Sequence, residues 1–426
     1  MRRQGRRAGT TIALAGLLAA PGTGAWAQQG SLSLDAVISG GYSTNPLLDV
    51  RDSSDSAFAE ISLVPRYAIT DERGTTAFEA RYRRTEYFNR YGSTQDYGAS
   101  AATSRRLSER LSVNGEVRFD SFIIGQRGFD PFLDTIDAPG VVDSGTGTGT
   151  GTGPAPPVTS LPPTPVALPV DVTQLGLVGI RERQNRFSAN LGGSLQLSTL
   201  DSVQASANVA RTSYGGELDG LSFWNYGGSL GYSRVLSART QVGVRGSVQQ
   251  VDYDLADETS RIYSLQGTIA TQLSPLWSLN AAAGLQRLDR RSETSGGSST
   301  GLAGNAALCR NDDRSNLCVR AFRESAATGF GDVTRVYGAG VDGSYRLGED
   351  DVVRGYATYS NADSPRALAG LGATSYLNSG VSYEHVFTRR LTGGASVGYR
   401  DAYDSAVGRP ADLTFQLFLR TRIGDL

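Results

Sequence analysis

From residue 32 to residue 423 the apolar residues of this chain recur with a period of two. That pattern limits the fold more than any other feature of the sequence. A strand sends successive side chains to opposite faces, whereas a helix of 3.6 residues per turn would scatter the same residues around its axis. Ala57, Ala59, Ile61, Leu63, Pro65, Tyr67 and Ile69 fall on one side of their segment, opposite Glu60, Ser62 and Arg66. Phe187, Ala189, Leu191, Gly193, Leu195 and Leu197 alternate with Ser188, Asn190, Ser194 and Gln196. Leu413, Phe415, Leu417, Leu419, Thr421 and Ile423 repeat the arrangement near the end. Segments of this kind lie near 32–42, 57–69, 75–87, 95–105, 110–122, 185–197, 202–213, 223–235, 240–252, 262–273, 277–288, 334–347, 351–361, 375–387, 391–401 and 412–423, which is about 16 strands.

The connections carry a second pattern. Short ones such as Thr70–Gly74, Arg106–Glu109, Ser198–Asp201 and Thr388–Arg390 alternate with longer ones such as Ser43–Ser56, Ile123–Gln184 and Ala362–Thr374. Transmembrane barrels show this asymmetry, with short periplasmic turns and longer extracellular loops. The start of the chain fits export. Arg2, Arg3, Arg6 and Arg7 form a basic segment, Thr11 to Ala20 a short apolar one, and Ala25-Trp26-Ala27 a small-residue cleavage site. Residues 1–27 therefore read as a signal peptide, and residues 28–426 as the barrel. No later stretch approaches the ~20 apolar residues of a membrane-spanning helix. The expected fold is all-β, a transmembrane antiparallel up-and-down β-barrel in the outer membrane of a Gram-negative bacterium. Lipid around it offers backbone groups no partners, so the sheet must close on itself. Aromatic residues near segment ends, among them Tyr42, Tyr67, Tyr87, Tyr214, Trp224, Tyr253, Tyr376 and Tyr403, are expected to form interfacial girdles.

Two connections stand out. Residues 140–171 are low in complexity, with a Gly-Thr run over Gly145–Gly153 followed by a Pro-rich run to Pro169. Neither composition makes a lipid-spanning strand, so the segment reads as an extracellular insertion, with a lumenal plug as the alternative. Residues 289–333 read as a long loop carrying the two cysteines, Cys309 and Cys318. Exported chains meet oxidising conditions, so a disulfide is expected. Closing so short a loop is worth on the order of 2–3 kcal/mol in the chain-entropy model.

Composition excludes several chemistries. The formal net charge is -1, so there is no basic excess of the kind that binds nucleic acid. With two cysteines and one histidine, the donor set gives no metal site, and no cofactor is expected. The one histidine, His385, shares the apolar parity of Leu377, Val381 and Tyr383, which points its ring outward near the periplasmic rim. No nucleophile, base and oxyanion donor come together, so no catalytic residues are assigned and an enzyme is not expected; an outer-membrane hydrolase built on His385 is the weaker alternative.

The polar parity is more informative. Glu79, Arg81 and Arg83 share one segment, Glu116, Arg118 and Asp120 another, and Arg245, Asp342, Arg346, Arg420 and Arg422 come from others. These are the candidate pore-lining residues. A mixed Arg and carboxylate lining suits a water-filled lumen. The alternative is an interior packed with ion pairs and closed to passage.

Gly40-Gly41-Tyr42-Ser43-Thr44-Asn45-Pro46, at the end of the first segment, resembles the Gly-Tyr-x-x-Asn signature of the beta-barrel porin type 2 family of proteobacterial outer-membrane proteins. Arg81-Tyr82-Arg83-Arg84-Thr85-Glu86-Tyr87 and Leu107-Ser108-Glu109-Arg110-Leu111 fit the same resemblance. It implies a link to exopolysaccharide systems, while the alternating strands with a polar, Arg-containing inner parity point to a porin-like channel for polar solutes such as saccharides. The implied partners are outer-membrane lipid, lipopolysaccharide and polysaccharide or small polar solutes, with a trimer as one oligomeric state. A non-conducting structural or adhesive surface barrel is the other reading. The chain departs from the common pattern of a terminal aromatic, since Phe418 is its last aromatic residue.

Overall fold

The computed structural model describes residues 29–49, 54–124, 181–254, 259–291, 296–327, 333–363, 375–403 and 410–424. The expected signal peptide (1–27) and the low-complexity segment (140–171) lie outside the described residues.

The described chain forms 18 antiparallel strands in one sheet. The first five are β1 (Gln29–Ser43), β2 (Ser56–Asp71), β3 (Gly74–Tyr87), β4 (Gly92–Arg106) and β5 (Leu111–Ile123). After the long connection come β6 (Arg183–Gln196), β7 (Asp201–Tyr214), β8 (Phe223–Ser237), β9 (Thr240–Tyr253), β10 (Thr259–Gln272) and β11 (Trp277–Arg291). Then follow β12 (Gly296–Asn311), β13 (Ser315–Ala327), β14 (Val333–Arg346), β15 (Asp351–Asp363), β16 (Ser375–Thr388), β17 (Leu391–Tyr403) and β18 (Asp412–Gly424). Each strand pairs with its neighbours in sequence, and β1 also pairs with β18, so the sheet closes with no free edge. Closure satisfies the ladder that an open sheet would leave bare.

The strand count corrects the expectation of about 16. The two additional strands, β12 and β13, occupy most of residues 289–333, expected to be a loop. Their apolar stripe is weak: β12 reads Gly-Gly-Ser-Ser-Thr-Gly-Leu-Ala-Gly-Asn-Ala-Ala-Leu-Cys-Arg-Asn, rich in Gly, Ser and Ala. Small residues give little alternation to read, yet they pair fully with β11 over fifteen positions. The cysteines therefore sit on a hairpin near a short turn, not in a long loop. Cys309 and Cys318 stand directly opposite each other, Cα–Cα 4.1 Å, and are joined by a disulfide.

Alternation sorts the wall as the sequence predicts. The outward parity is apolar and exposed: Ile38, Leu191, Leu230, Leu265, Leu285, Leu302 and Leu417 are each more than half exposed. Aromatics on this outer face gather at both rims. Tyr42, Tyr97, Phe119, Trp224, Tyr263, Tyr337 and Tyr403 lie toward the long connections, and Tyr67, Phe78, Tyr232, Tyr345, Tyr383 and Phe387 toward the short turns. Four aromatics expected in the girdles do not join them. Tyr87, Tyr214, Tyr253 and Tyr376 are buried on the inward face, beneath the rim of the long connections.

Candidate functional site

The inner wall holds the candidate site. Every sequence-predicted lining residue lies on the inward parity of its strand, and cross-strand register places them against other inward positions. Glu79 stands opposite Arg66, Asp120 opposite Arg186, Arg245 opposite Gln266, Asp342 opposite Cys318, and Arg422 opposite Asp35.

These charges are mostly engaged with one another. Asp35 is fully buried and sits between two guanidinium groups: Arg422 Nε donates to Oδ1 at 2.8 Å, and Arg66 Nη1 lies 3.5 Å from Oδ2. Arg66 Nε donates in turn to Glu79 at 2.9 Å. This chain of ions crosses the closure of the barrel from β18 to β3. Next to it, Arg83 pairs with Asp96 at 2.9 Å, and Asp120 accepts from Arg81 at 2.5 Å and from Arg118 at 2.6 Å. The Arg81–Asp120 contact passes over β4 at Gly98, where a Cβ would stand 2.8 Å from the Asp120 carboxylate; glycine leaves the room. Arg320 pairs with Asp342, and Arg354 with Glu384. Arg420 lies in the field of Glu384, Arg354, Asp35 and Arg422. Glu116 and Arg346 lie on the same face, Arg346 exposed next to a short turn.

Several of these residues escaped the sequence reading, notably Asp35, Arg66, Asp96, Arg320, Arg354, Glu384, Arg400 and Asp412. Parity was the available signal for all but Arg320, whose strand β13 was expected to be a loop; each of the others stands in the polar register of an alternating segment.

The interior is not filled by these groups. Ser112, Asn114, Asn190 and Ser206 have the inward parity and are nevertheless exposed. Barrels of 16–18 strands are wide enough to leave an aqueous channel.

At the rim of the long connections the first connection folds over this wall. A turn over 45–48 is closed by Leu48 N–H donating to Asn45 C=O at 3.0 Å. Leu48 adopts φ 51°, the one positive φ of a non-glycine among the described residues. It packs against Phe322, Val336, Ala362, Tyr376 and Ala402, which face inward from β13 to β17. A buried ion pair holds the turn there. Arg400 Nη2 donates to Asp412 at 2.7 Å and to Pro46 C=O at 3.0 Å. Asp412 also accepts from Ser43 Oγ at 2.5 Å and from Asn45 N–H at 3.0 Å. The Asn45 carboxamide donates to Pro410 C=O and accepts from Asp49 N–H. On the far side Arg181, next to β6, pairs with Asp49 at 2.7 Å and lies over the Tyr91 ring. The connection thus reaches from the β13–β18 wall toward β6.

His385 lies on the outer wall near the short turns, as its parity implied. Its Nδ1 is 2.8 Å from Asp351 Oδ1, which also accepts from Tyr383 at 2.5 Å, and its ring meets Phe387 edge-on. A base in that position has no access to the interior.

No protein-family model and no curated protein matches the chain. Solved structures do. The FrpB iron transporter from Neisseria meningitidis (F3-3 variant) aligns over 92% of this chain and 81% of its own, with 7% identity and a TM-score of 0.46. OpdK of Pseudomonas aeruginosa with vanillate aligns over 92% and 99%, with 11% identity and a TM-score of 0.42. OccAB4 of Acinetobacter baumannii aligns over 94% and 99%, with 12% identity and a TM-score of 0.40.

Proposed function

We propose that this chain is a porin-like channel of the outer membrane that passes small polar solutes, saccharides among them. The observation that carries the reading is the sorting of the wall: an apolar exterior between two aromatic rims, closed around an inner face that is polar below the apolar clusters of one rim. A bilayer is the solvent that suits such an exterior. The arginine-rich leader ending at Ala27 supports export, the short turns and both strand ends would face the periplasm, and the long connections the exterior. Glu79, Arg81, Arg83, Glu116, Arg118, Asp120, Arg245, Asp342, Arg346, Arg420 and Arg422 line the path. The Gly40–Asn45 motif supports kinship with the type 2 β-barrel porins, and with it a role beside surface polysaccharide. The inward-folded first connection favours a second reading, a barrel closed to flux that serves the surface as a scaffold. Reconstitution into planar bilayers separates the two. Stepwise conductance from folded, heat-modifiable protein is expected; insertion without conductance would leave the scaffold.

A further inference from the structure

The interior wall is divided lengthwise into two chemically different arcs, and the ion pairs occupy only one of them. From β13 through the closure to β5 every strand carries an inward carboxylate or guanidinium group. From β6 to β12 no inward carboxylate occurs among the described residues, and Arg186, Arg245 and Arg290 are the inward charges. Arg186 borders the charged arc opposite Asp120, and Arg290 donates to Val333 C=O at the rim. Beneath the rim of the long connections this arc is apolar, with Tyr214, Phe223, Val251, Tyr253, Ile262 and Leu288 buried together; over the rest of its length the polar groups are carboxamide and hydroxyl. Hydroxyls pair across strands, Ser206 with Ser229 at 2.8 Å and Ser247 with Ser264 at 2.6 Å. The carboxamides of Asn190, Gln204, Asn208, Gln266, Asn280 and Asn305 stand half-exposed or exposed on this face and enter none of the side-chain hydrogen bonds of the wall.

We infer that this neutral arc is a binding track for uncharged, polyhydroxylated solutes, the chemistry of a neutral oligosaccharide. The inference rests on the channel reading. A carboxamide offers two N–H donors and a carbonyl acceptor, and a sugar hydroxyl is both donor and acceptor, so each can satisfy the other without a net charge being desolvated. The opposite arc cannot compete on equal terms. Its guanidinium and carboxylate groups already satisfy each other at 2.5–3.5 Å, and displacing such a partner for a neutral hydroxyl leaves a charge uncompensated. Carboxamides spaced by the sheet, 4.7–4.9 Å between strands and about two residues along them, give many weak sites in place of one strong one. Conduction needs that balance, because a solute must be held well enough to enter and loosely enough to leave.

The test uses full-length protein in planar bilayers carrying a potassium chloride current, with maltotriose, cellotriose and trigalacturonate added in turn. Saturable block by the neutral trisaccharides, at lower concentration than by trigalacturonate, is expected. Loss of a few hydrogen bonds predicts that Gln204→Ala/Asn208→Ala/Gln266→Ala raises the half-blocking concentration about tenfold or more. Gln204→Glu, which keeps the side-chain size and adds charge, is expected to weaken block in the same direction. Heat-modifiable gel migration verifies the fold of each variant. A conducting channel that neither trisaccharide blocks overturns this inference and leaves the channel reading standing, as does stronger block by trigalacturonate, which would transfer recognition to Arg245. Absence of any conductance overturns both.

Discussion

Asp412→Asn should release the first connection from the inner wall. The carboxylate it replaces accepts five hydrogen bonds, from Arg400 Nε and Nη2, Ser43 Oγ, Asn45 N–H and Thr414 Oγ1. Asparagine keeps the size but not the charge, so it leaves the Arg400 guanidinium, 6% exposed, without its counter-ion. Breaking one side of a buried pair costs about 3–5 kcal/mol. The turn can escape that cost by swinging out and letting water reach Arg400. Against its release stands the burial of Leu47 and Leu48, which are 2% and 1% exposed. At about 1.5–3 kcal/mol per leucine this is worth at most about 3–6 kcal/mol. Relief of the positive φ at Leu48 returns about 1–3 kcal/mol. The two sides then nearly balance, and the outward form becomes populated. The assay is labelling of a Leu47→Cys background by a membrane-impermeant maleimide; the two native cysteines are joined and silent. Each 1.4 kcal/mol lost from the inward form is about tenfold in labelling rate, so an acceleration of at least about tenfold is expected, together with a larger single-channel conductance. Arg400→Met/Asp412→Leu removes both charges, and an apolar pair of similar volume should restore slow labelling. Unchanged labelling and conductance in Asp412→Asn would refute the assignment of this ion pair as the pin, and so would a double variant that labels as fast as the single one.

Three other outcomes follow from the same structure. Leu417→Arg places a charge mid-strand on the apolar exterior, between Gly40 and Ala395; at about 2–4 kcal/mol at the bilayer midplane, it should lower folding yield into liposomes, and a yield equal to wild type would contradict the outward face. Cys309→Ser/Cys318→Ser should still form the barrel, because β12 and β13 pair independently of the disulfide over eight positions, but with a loss of up to about 2–3 kcal/mol; unchanged unfolding in guanidinium would deny the cross-link a stabilising role. At the turn of that hairpin Asp312 accepts from Ser315 Oγ and from the N–H groups of Arg314 and Ser315, which hold its carboxyl below the usual range. A depressed folded value means that the turn's stabilisation is present above the unfolded-chain value, about 3.9, and is lost as pH falls through the folded one; a carboxyl ¹³C titration with its midpoint at or above 3.9 would contradict it.

How much of this was legible in the sequence depends on side-chain size. Ile61, Leu191 and Leu417 announce their strands because a large apolar group on every second residue has no other economical placement, and the closed antiparallel sheet follows from enough such strands. β12 hides because Gly301, Gly304, Ala306 and Ala307 carry too little surface to mark a face; its pairing is decided by the neighbouring β11, not by its own pattern. Lining positions such as Arg81 and Asp120 could be read from parity alone. Their partners could not, because Arg81 reaches Asp120 two strands away over Gly98, a contact set by three-dimensional register. The inward turn at Leu48 was likewise out of reach. Two adjacent leucines in an otherwise polar connection hint at burial, but the wall that receives them comes from β13 to β17, more than 270 residues later in the sequence.

The concentration of ion pairs beside the closure has a physical use beyond lining a path. β1 and β18 pair across nearly the whole chain, and their apolar stripes alone give a weak register because Leu413, Phe415, Leu417 and Leu419 are nearly interchangeable. A slip by one residue would turn Gln416, Arg420 and Arg422 to the apolar outer face and carry those apolar residues to the polar inner one, so parity excludes it. A slip by two preserves parity and costs the outer face little. It does, however, move Arg422 away from Asp35, which is fully buried and opposite it in the observed pairing, and moves Asp412 from the reach of Ser43. Asp35 would keep Arg66 but lose the nearer of its two guanidinium partners, a cost on the inner face where a misplaced leucine on the outer face costs almost nothing. The inner ions at the closure therefore discriminate between registers that the exterior cannot tell apart. That requirement ends a few strands from the closure, which frees β6 to β12 to carry neutral hydrogen-bonding groups in place of charge.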